Sequence, residues 1–487
     1  MSSTQASPGR TSDAESRAAP LYVDLDGTLV HTDMLFESLV RFWCRHPWRA
    51  LSVIAWAFRG PAYLKSRLAD AYDVDVATLP WNQELLASLR EQAASGRVVV
   101  LATAANENIA RAIARQADCF ARVLASSATH NLKGAAKADA IVKDAAGQPF
   151  VYAGDHSADL PIWQRAAGAL LVNASASTTR RARQLTRVER EFPASTSPLR
   201  ALPRALRMYQ WSKNMLVFVP LLAAHAWTDP RAWTASIAMF FAFSLCASGI
   251  YLLNDLVDLP ADRAHPRKRF RPLAAGTLSL RHGLLMAPVL LAGGLALALW
   301  INPLSLLMLG AYVVATTAYS LVLKQIVLVD AIVLACLYTS RVLGGAAAIM
   351  VVPSFWLLAL SMFLFLSLAL IKRYSELMTL ASLNQSSARG RDYNVADRTT
   401  LMALGVGSGF CAVLVMAMFL NSADIATSYT RPQLLWGLCI TLMYWVSRMW
   451  IKATRGEMHD DPIIYATKDR ASIFVGALSA ACVALAL

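Results

Sequence analysis

The sequence predicts a multi-domain protein, an N-terminal α/β domain followed by an all-α polytopic membrane bundle of about nine transmembrane helices. Three observations lead there. The chain has 487 residues, more than one ordinary domain holds. Hydrophobic residues make up 56% of it and charged residues 16%, a balance unusual in soluble proteins. The average is also uneven. Up to about residue 200 charged and apolar residues mix, and beyond it apolar runs long enough to cross a bilayer recur.

In chain order, residues 1–18 (MSSTQASPGRTSDAESRA) are small and polar and read as a disordered tail, not a signal peptide. Residues 19–175 form the soluble domain. Residues 176–200 read as a basic linker, suited either to an anionic membrane leaflet or to a helix closing the soluble domain. Residues 201–487 form the membrane domain, with spans expected near 213–228, 233–253, 282–300, 304–323, 327–348, 354–371, 402–421, 433–450 and 471–487. Connections on the N-terminal side hold 21 Lys and Arg, and those on the other side hold only Arg231 and Arg431. The positive-inside rule then predicts a multi-pass inner-membrane protein with a cytoplasmic N-terminal domain and its C-terminus outside. Basic residues at span ends also account for the net charge of +14, so no nucleic-acid partner is implied. The seven cysteines are scattered without a CxxC pair, which argues against a disulfide framework or a zinc site. Nothing in the sequence specifies an oligomeric state.

In the soluble domain an apolar strand, LYV, runs into DLDGTLV at 24–30. Asp24 and Asp26 therefore stand at the carboxyl end of a strand, where open α/β sheets gather their ligands. RVVVLAT (97–103) is a second strand ending in Thr103. Lys137 opens a helix after NLKGAA, with Lys133 as its rival. FVYAGDHSAD (150–159) is a third strand, ending in Asp155 and Asp159. These four elements, in this order, resemble the motifs of haloacid dehalogenase (HAD) hydrolases, whose domain is a Rossmann-like α/β fold. The resemblance implies Asp24 as nucleophile of an aspartyl-phosphate and Asp26 as general acid and base. It implies Thr103 and Lys137 as holders of the phosphoryl oxygens. It also implies Mg²⁺ on Asp24 and Asp155, supported by Asp159. The insert at about 34–90, rich in Trp, Phe and Leu, matches a small helical cap.

The inner end of the second expected span reads NDLVDLPAD, with Asn254, Asp255, Asp258 and Asp262. Ionisable groups there are costly unless they serve a function or meet water. Spacings of three and four put the three carboxylates on one helical face. A divalent cation is their natural partner, and it would bridge to a substrate diphosphate. Arg263, His265, Lys268, Arg269 and Arg271 follow in RAHPRKRFRPLAAG and can neutralise phosphate. This string closely resembles the first aspartate-rich motif of the UbiA superfamily of intramembrane prenyltransferases.

The aromatic branch of that superfamily carries a second motif, DxxxD. Here the later inner segment, KRYSELMTLASLNQSSARGRDYNVAD, offers Lys372, Arg373, Tyr374, Glu376, Asp392 and Asp397 instead. With RMYQWSKNMLVFVPL, AYSLVLKQIVLVD, YTSRVLGGAAA and DDPIIYATKDR, the pattern resembles the decaprenyl-phosphate phosphoribosyltransferases of cell-wall biosynthesis. That resemblance implies phosphoribosyl pyrophosphate (PRPP) as the Mg²⁺-bound donor and a polyprenyl phosphate as acceptor. Lys213, Lys324, Arg341 and Lys372 become candidate phosphate holders. Lys213 and Lys324 also fit snorkelling at an inner span end, whereas Arg341 lies inside a span. Asp460, Asp461 and Arg470 would close the site or cap it. A fused phosphatase could then remove the 5-phosphate of the product. The alternatives are an aromatic, quinone-type prenyltransferase using a prenyl diphosphate and, more remotely, a non-enzymatic membrane scaffold.

Overall fold

A computed structural model describes residues 19–487 except 72–74, 128, 194–197, 385–390, 423–424, 426–428 and 459–460. The tail 1–18 and Asp460 thus lie outside the described residues. Two compact units divide the chain, Met1–Leu206 with Leu252–Met286, and Arg207–Tyr251 with Ala287–Leu487.

In the first unit six parallel strands stand in the order β3-β2-β1-β4-β5-β6. They are β1 (Leu21–Val23), β2 (Val99–Asn106), β3 (Arg122–Ser126), β4 (Val151–Gly154), β5 (Gly168–Val172) and β6 (Arg187–Phe192). β1 is buried on both faces, as a central parallel strand must be, so it reads as an unbroken apolar run. Its side chains alternate between two cores. Leu21 and Val23 meet Leu101 and Ile113 on one face, and Tyr22 meets Tyr152 and Trp163 on the other. The chain leaves β1 for β2 on one side and returns to β4 on the other. This is the topological switch that opens a crevice at the carboxyl ends of β1 and β4.

The segment 176–200 is not a free linker. It supplies the helix Ala176–Leu185 and β6, which pairs with β5. Val188 and Phe192 pack on the domain core, while the charged residues of RVEREF guard an edge strand. The cap is shorter than 34–90. Helices Met34–Arg45, Ala50–Phe58 and Pro61–Ala71 share the small core Phe42, Val53 and Leu68. Helix Gln83–Ala94 belongs to the main domain, because Leu85, Leu86 and Leu89 are buried in its core.

The second unit is helical. Among the described residues of the chain, seven helices are long and apolar enough to cross a membrane. An eighth is counted if Pro462–Lys468 and Arg470–Ala486, bent by 81°, form one span. The first expected span, 213–228, is instead broken into a 3-10 helix Met208–Phe218 and short turns Val219–Ala223 and Ala226–Thr228. Lys213 and Asn214 turn inward there and are buried, and Pro220 stands in the next turn. Lys372, Arg373, Tyr374 and Glu376 sit on the helix Phe355–Ser382 rather than in a loop, because that helix runs 28 residues.

Trp163 is fully buried, and its indole N–H donates to the Tyr152 carbonyl at 3.2 Å. Trp163→Ala should destabilise the first unit by roughly 3–5 kcal/mol. Thermal unfolding of the full chain in detergent would show a clear downward shift, and an unshifted transition would contradict this packing.

Candidate active sites

The carboxyl end of β1 delivers Asp24 and that of β4 delivers Asp155, so the two acids converge from neighbouring strands. Carboxylate oxygens of Asp24, Asp155 and Asp159 lie within 4.8 Å of one another. Lys137, on the first turn of helix Ala135–Asp144, places its ammonium 2.9 Å from Asp24 and 4.0 Å from Asp159. Lys137, not Lys133, therefore faces the acids directly, although Lys133 lines the same cavity. Gly27 must be glycine twice over. Its φ is +78°, and a Cβ there would strike the Asp155 carboxylate.

Burial, reinforced by Asp24 and Asp159, raises the Asp155 carboxyl well above the usual range. This repulsion is what a divalent cation relieves, and the oxygen-only cluster suits Mg²⁺. Burial opposes the charge on Lys137, but Asp24 and Asp159 hold its ammonium above the ordinary lysine value. Burial and then the charge on Asp33 push the Asp26 carboxyl up to about 8, which favours the protonated form an acid donor needs. Asp26 is fixed by accepting the Met34 N–H at 2.9 Å.

Thr103 does not stand as expected. It is fully buried and its hydroxyl accepts the Ala105 N–H, so Ala104, Ala105 and Asn106 form that wall of the cavity. Sequence reasoning missed Lys65 of the cap helix Pro61–Ala71. It reaches over the site to the Ala104 carbonyl (2.7 Å) and Asn131 Oδ1 (3.2 Å). A lone lysine in a helix carries no motif that would reveal it. Asn173 was missed as well, and it donates to the Gly27 carbonyl at 2.9 Å.

The acidic motif of the membrane domain begins in the last turn of the long helix Pro230–Val257, which carries Asn254 and Asp255. The helix ends before Asp258, which stands at the start of a short second helix, Leu259–Ala264, without a side-chain cap, and Pro260 lies in that helix's first turn. Asp255 and Asp262 are buried and share Arg271, at 3.2 and 2.6 Å. Among the described residues the three carboxylates form no single compact cluster. One oxygen of Asp262 is buried without a hydrogen-bond partner, an acceptor that suits a cation. Asn254 is half-buried and Lys268 is exposed. Arg263, expected to meet phosphate, is committed elsewhere. Its guanidinium pairs with Glu37 of the cap at 2.5 Å, both side chains buried, and also donates to the Ala274 carbonyl at 3.2 Å.

In the second unit Lys213 and Lys372 converge on Asp461, at 2.9 and 3.0 Å, and the Tyr338 hydroxyl donates to the same carboxylate. Arg341 donates to Asn214 at 2.8 Å and to Tyr312 at 3.1 Å, and its guanidinium lies 5.7 Å from the Tyr338 ring centre. Arg373 and Glu376 form a separate network. Arg373 pairs with Asp330 and Glu376, each at 2.6 Å, and Arg391 joins Glu376 at 2.7 Å. Asp330 and Asn214 carried no signal in the sequence beyond being polar within apolar runs. Tyr374 packs against Trp450 and serves the helix core. Lys324 is half-buried in the turn Leu323–Gln325.

The profile of the UbiA prenyltransferase family matches residues 215–461, and that of haloacid dehalogenase-like hydrolases matches residues 21–164. Protein y4nM of Sinorhizobium fredii is 36% identical over 98% of this chain and 92% of its own length. Nodulation protein NoeC of Azorhizobium caulinodans is 34% identical over 58% of this chain and 91% of its own. Decaprenyl-phosphate phosphoribosyltransferase of Mycolicibacterium smegmatis is 36% identical over 36% of this chain and 57% of its own. Among solved structures, a UbiA homolog from Archaeoglobus fulgidus bound to GPP and Mg²⁺ has a TM-score of 0.44. It is 15% identical and covers 58% of this chain and 99% of its own.

Arg271→Ala would leave two buried carboxylates without their cation, a change that typically costs about 3–5 kcal/mol. We expect a marked drop in the melting temperature of the full chain, partly recovered in the Asp262→Asn/Arg271→Ala double variant. Equal melting of wild type and the single variant would show that Arg271 is not their counter-charge.

Proposed function

The chain belongs to the UbiA prenyltransferase family and carries an N-terminal HAD-like domain, and from that premise we propose a two-step enzyme. The membrane domain transfers 5-phosphoribose from PRPP to a polyprenyl phosphate, and the HAD-like domain removes the 5-phosphate from a lipid-linked product. The observation that carries the first step is the cationic set Lys213, Lys372 and Arg341 near Asp461, with Lys372 opening the segment that lacks a second DxxxD motif. Bases suit a phosphate-bearing sugar donor and a phosphate acceptor better than a second metal-clamped diphosphate does. The partial likeness to decaprenyl-phosphate phosphoribosyltransferases supports the same choice.

In the transfer an oxygen of the lipid phosphate attacks C1 of ribose, and the C1–O bond to pyrophosphate breaks. The stabilisation needed is electrostatic, since negative charge grows on the leaving pyrophosphate. Mg²⁺ would supply part of that neutralisation, held by Asp255 and Asp262, whose carboxylates already meet at Arg271. Asp461 keeps the Lys213 and Lys372 ammonium groups paired, and a phosphate can take its place. In the phosphatase step Asp24 accepts the phosphoryl group while Asp26 gives its proton to the departing alcohol. Asp26 then takes a proton from the water that frees inorganic phosphate. Mg²⁺ at Asp24 and Asp155 would offset the phosphoryl charge, and Lys137 orients the nucleophile. The HAD-like domain shares its compact unit with the Lys- and Arg-rich segment 252–286, which supports a cytoplasmic side for both.

Purified protein in nanodiscs, given polyprenyl phosphate with labelled PRPP or a labelled prenyl diphosphate, should consume PRPP. Asp255→Ala and Asp262→Ala should each lower transfer by roughly a hundredfold or more. Consumption of the prenyl diphosphate alone would move the enzyme to the aromatic branch. Separately, Asp24→Asn should abolish hydrolysis of p-nitrophenyl phosphate without slowing transfer, and continued hydrolysis would show that Asp24 is not the nucleophile.

A further inference from the structure

The cavity above Asp24 has a volume of about 800 Å³, far more than a phosphate requires. One of its walls does not come from the HAD-like fold. Ala275, Gly276, Thr277, Ser279, Arg281 and His282, which follow the acidic motif of the membrane domain, line it together with Asp24 and Asp26. This wall is held in place by specific contacts. Gly276 has a φ of +73°, and a Cβ there would run into the carbonyl and side chain of His31, within the loop that follows the DLDGT strand end. The buried Arg263–Glu37 pair ties the same segment to the first cap helix, and Thr32 supports Glu37 with a hydrogen bond of 2.7 Å.

The wall runs straight into the apolar helix Leu280–Ile301, one of those able to cross a membrane. The rim of the phosphatase cavity is thus the start of a membrane span. The same unit exposes large aromatic side chains, Trp48 (95% exposed) and Phe58 (88%) on the cap and Phe270 (70%) beside the wall. Exposed Arg49, Arg59 and Arg269 accompany them. Aromatic rings with arginines are the composition of a surface that rests on anionic headgroups. Arg281 lines the cavity with an exposed side chain and forms no ion pair among the described residues.

We propose that the HAD-like cavity takes a phosphomonoester carried on a membrane lipid, with Arg281 on the borrowed wall binding the lipid-side phosphodiester. The inference rests on the phosphatase reading above and names its substrate class and a specificity residue. The bond broken is the P–O bond between the terminal phosphate and its alcohol. The phosphoryl group passes to Asp24, the alcohol leaves protonated on the lipid, and water releases phosphate. The diester stays intact and anchors the substrate at Arg281. Arg263 acts indirectly, by holding the wall against Glu37.

The test uses the full chain in nanodiscs and two phosphomonoesters. One is synthetic polyprenylphosphoryl 5-phosphoribose in phosphatidylcholine vesicles, and the other is ribose 5-phosphate in solution. Because the lipid ester is supplied, the result does not depend on the transferase step. Wild type should show the higher kcat/KM on the vesicle-borne ester. Arg281→Gln should cut the ratio of the two kcat/KM values about tenfold, mostly through KM, as loss of one charged hydrogen bond would. Arg281→Glu should lower the ratio further. Arg281 is exposed, so neither change threatens folding. Equal kcat/KM on both esters in wild type, or a ratio unmoved by both variants, overturns the inference while leaving the domain a phosphatase. Hydrolysis of neither ester removes the phosphatase reading itself.

Discussion

A carboxylate or guanidinium withdrawn from water costs several kcal/mol unless a counter-charge and hydrogen bonds come with it. This chain meets that constraint wherever chemistry is expected of it. In the HAD-like domain Lys137 answers Asp24 and Asp159. In the acidic motif Arg271 answers Asp255 and Asp262. Within the helical unit Asp461 answers Lys213 and Lys372, and Asp330 answers Arg373. Each cluster is a set of fixed charges assembled before any substrate arrives, the arrangement that stabilises transferring phosphate groups most effectively. The pairs also decide which side chains are available. A base held by a buried acid inside one element pair can position that element, and a base on a cavity rim can meet a ligand directly. Arg263 and Arg281, only a short stretch of chain apart, fall on opposite sides of that line.

That distinction marks how far the sequence could be read. The DLDGT strand end, the helix-opening lysine and the GDHSAD strand end are local patterns. Local geometry follows from them, because a parallel strand can deliver its carboxylates only to the carboxyl edge. The apolar runs after residue 200 were equally plain. What stayed hidden was long-range. Glu37 lies 226 residues from Arg263, and no spacing rule connects them. Lys65 enters the site only because a cap helix folds over it. β6 was concealed by its own edge, where charges outnumber the two residues that reach the core. The segment 213–228 had the apolar content of a span, but Lys213 and Asn214 needed partners inside the unit. The backbone broke into short turns to supply them.

The two catalytic readings are joined by chemistry. A transferase that builds a sugar phosphate onto a lipid makes a substrate of the kind a lipid-facing phosphatase would need. The phosphatase cavity, for its part, shares a wall with the segment that follows the acidic motif. Fusion by itself would not argue for a shared pathway, since fused domains can act on unrelated molecules. Residues within 275–282 line the cavity of the HAD-like domain and lead into a helix able to cross a membrane.

The proposal that one chain makes a lipid-linked phosphoribose and then removes its 5-phosphate can be tested on the lipid itself. The most direct test is mass spectrometry of the lipid formed from PRPP and polyprenyl phosphate by wild type and by Asp24→Asn. Wild type should release a lipid-linked ribose lighter by one phosphoryl group than the lipid that accumulates with the variant. Identical lipid products from both proteins would contradict the claim, and the phosphatase would then serve some other substrate.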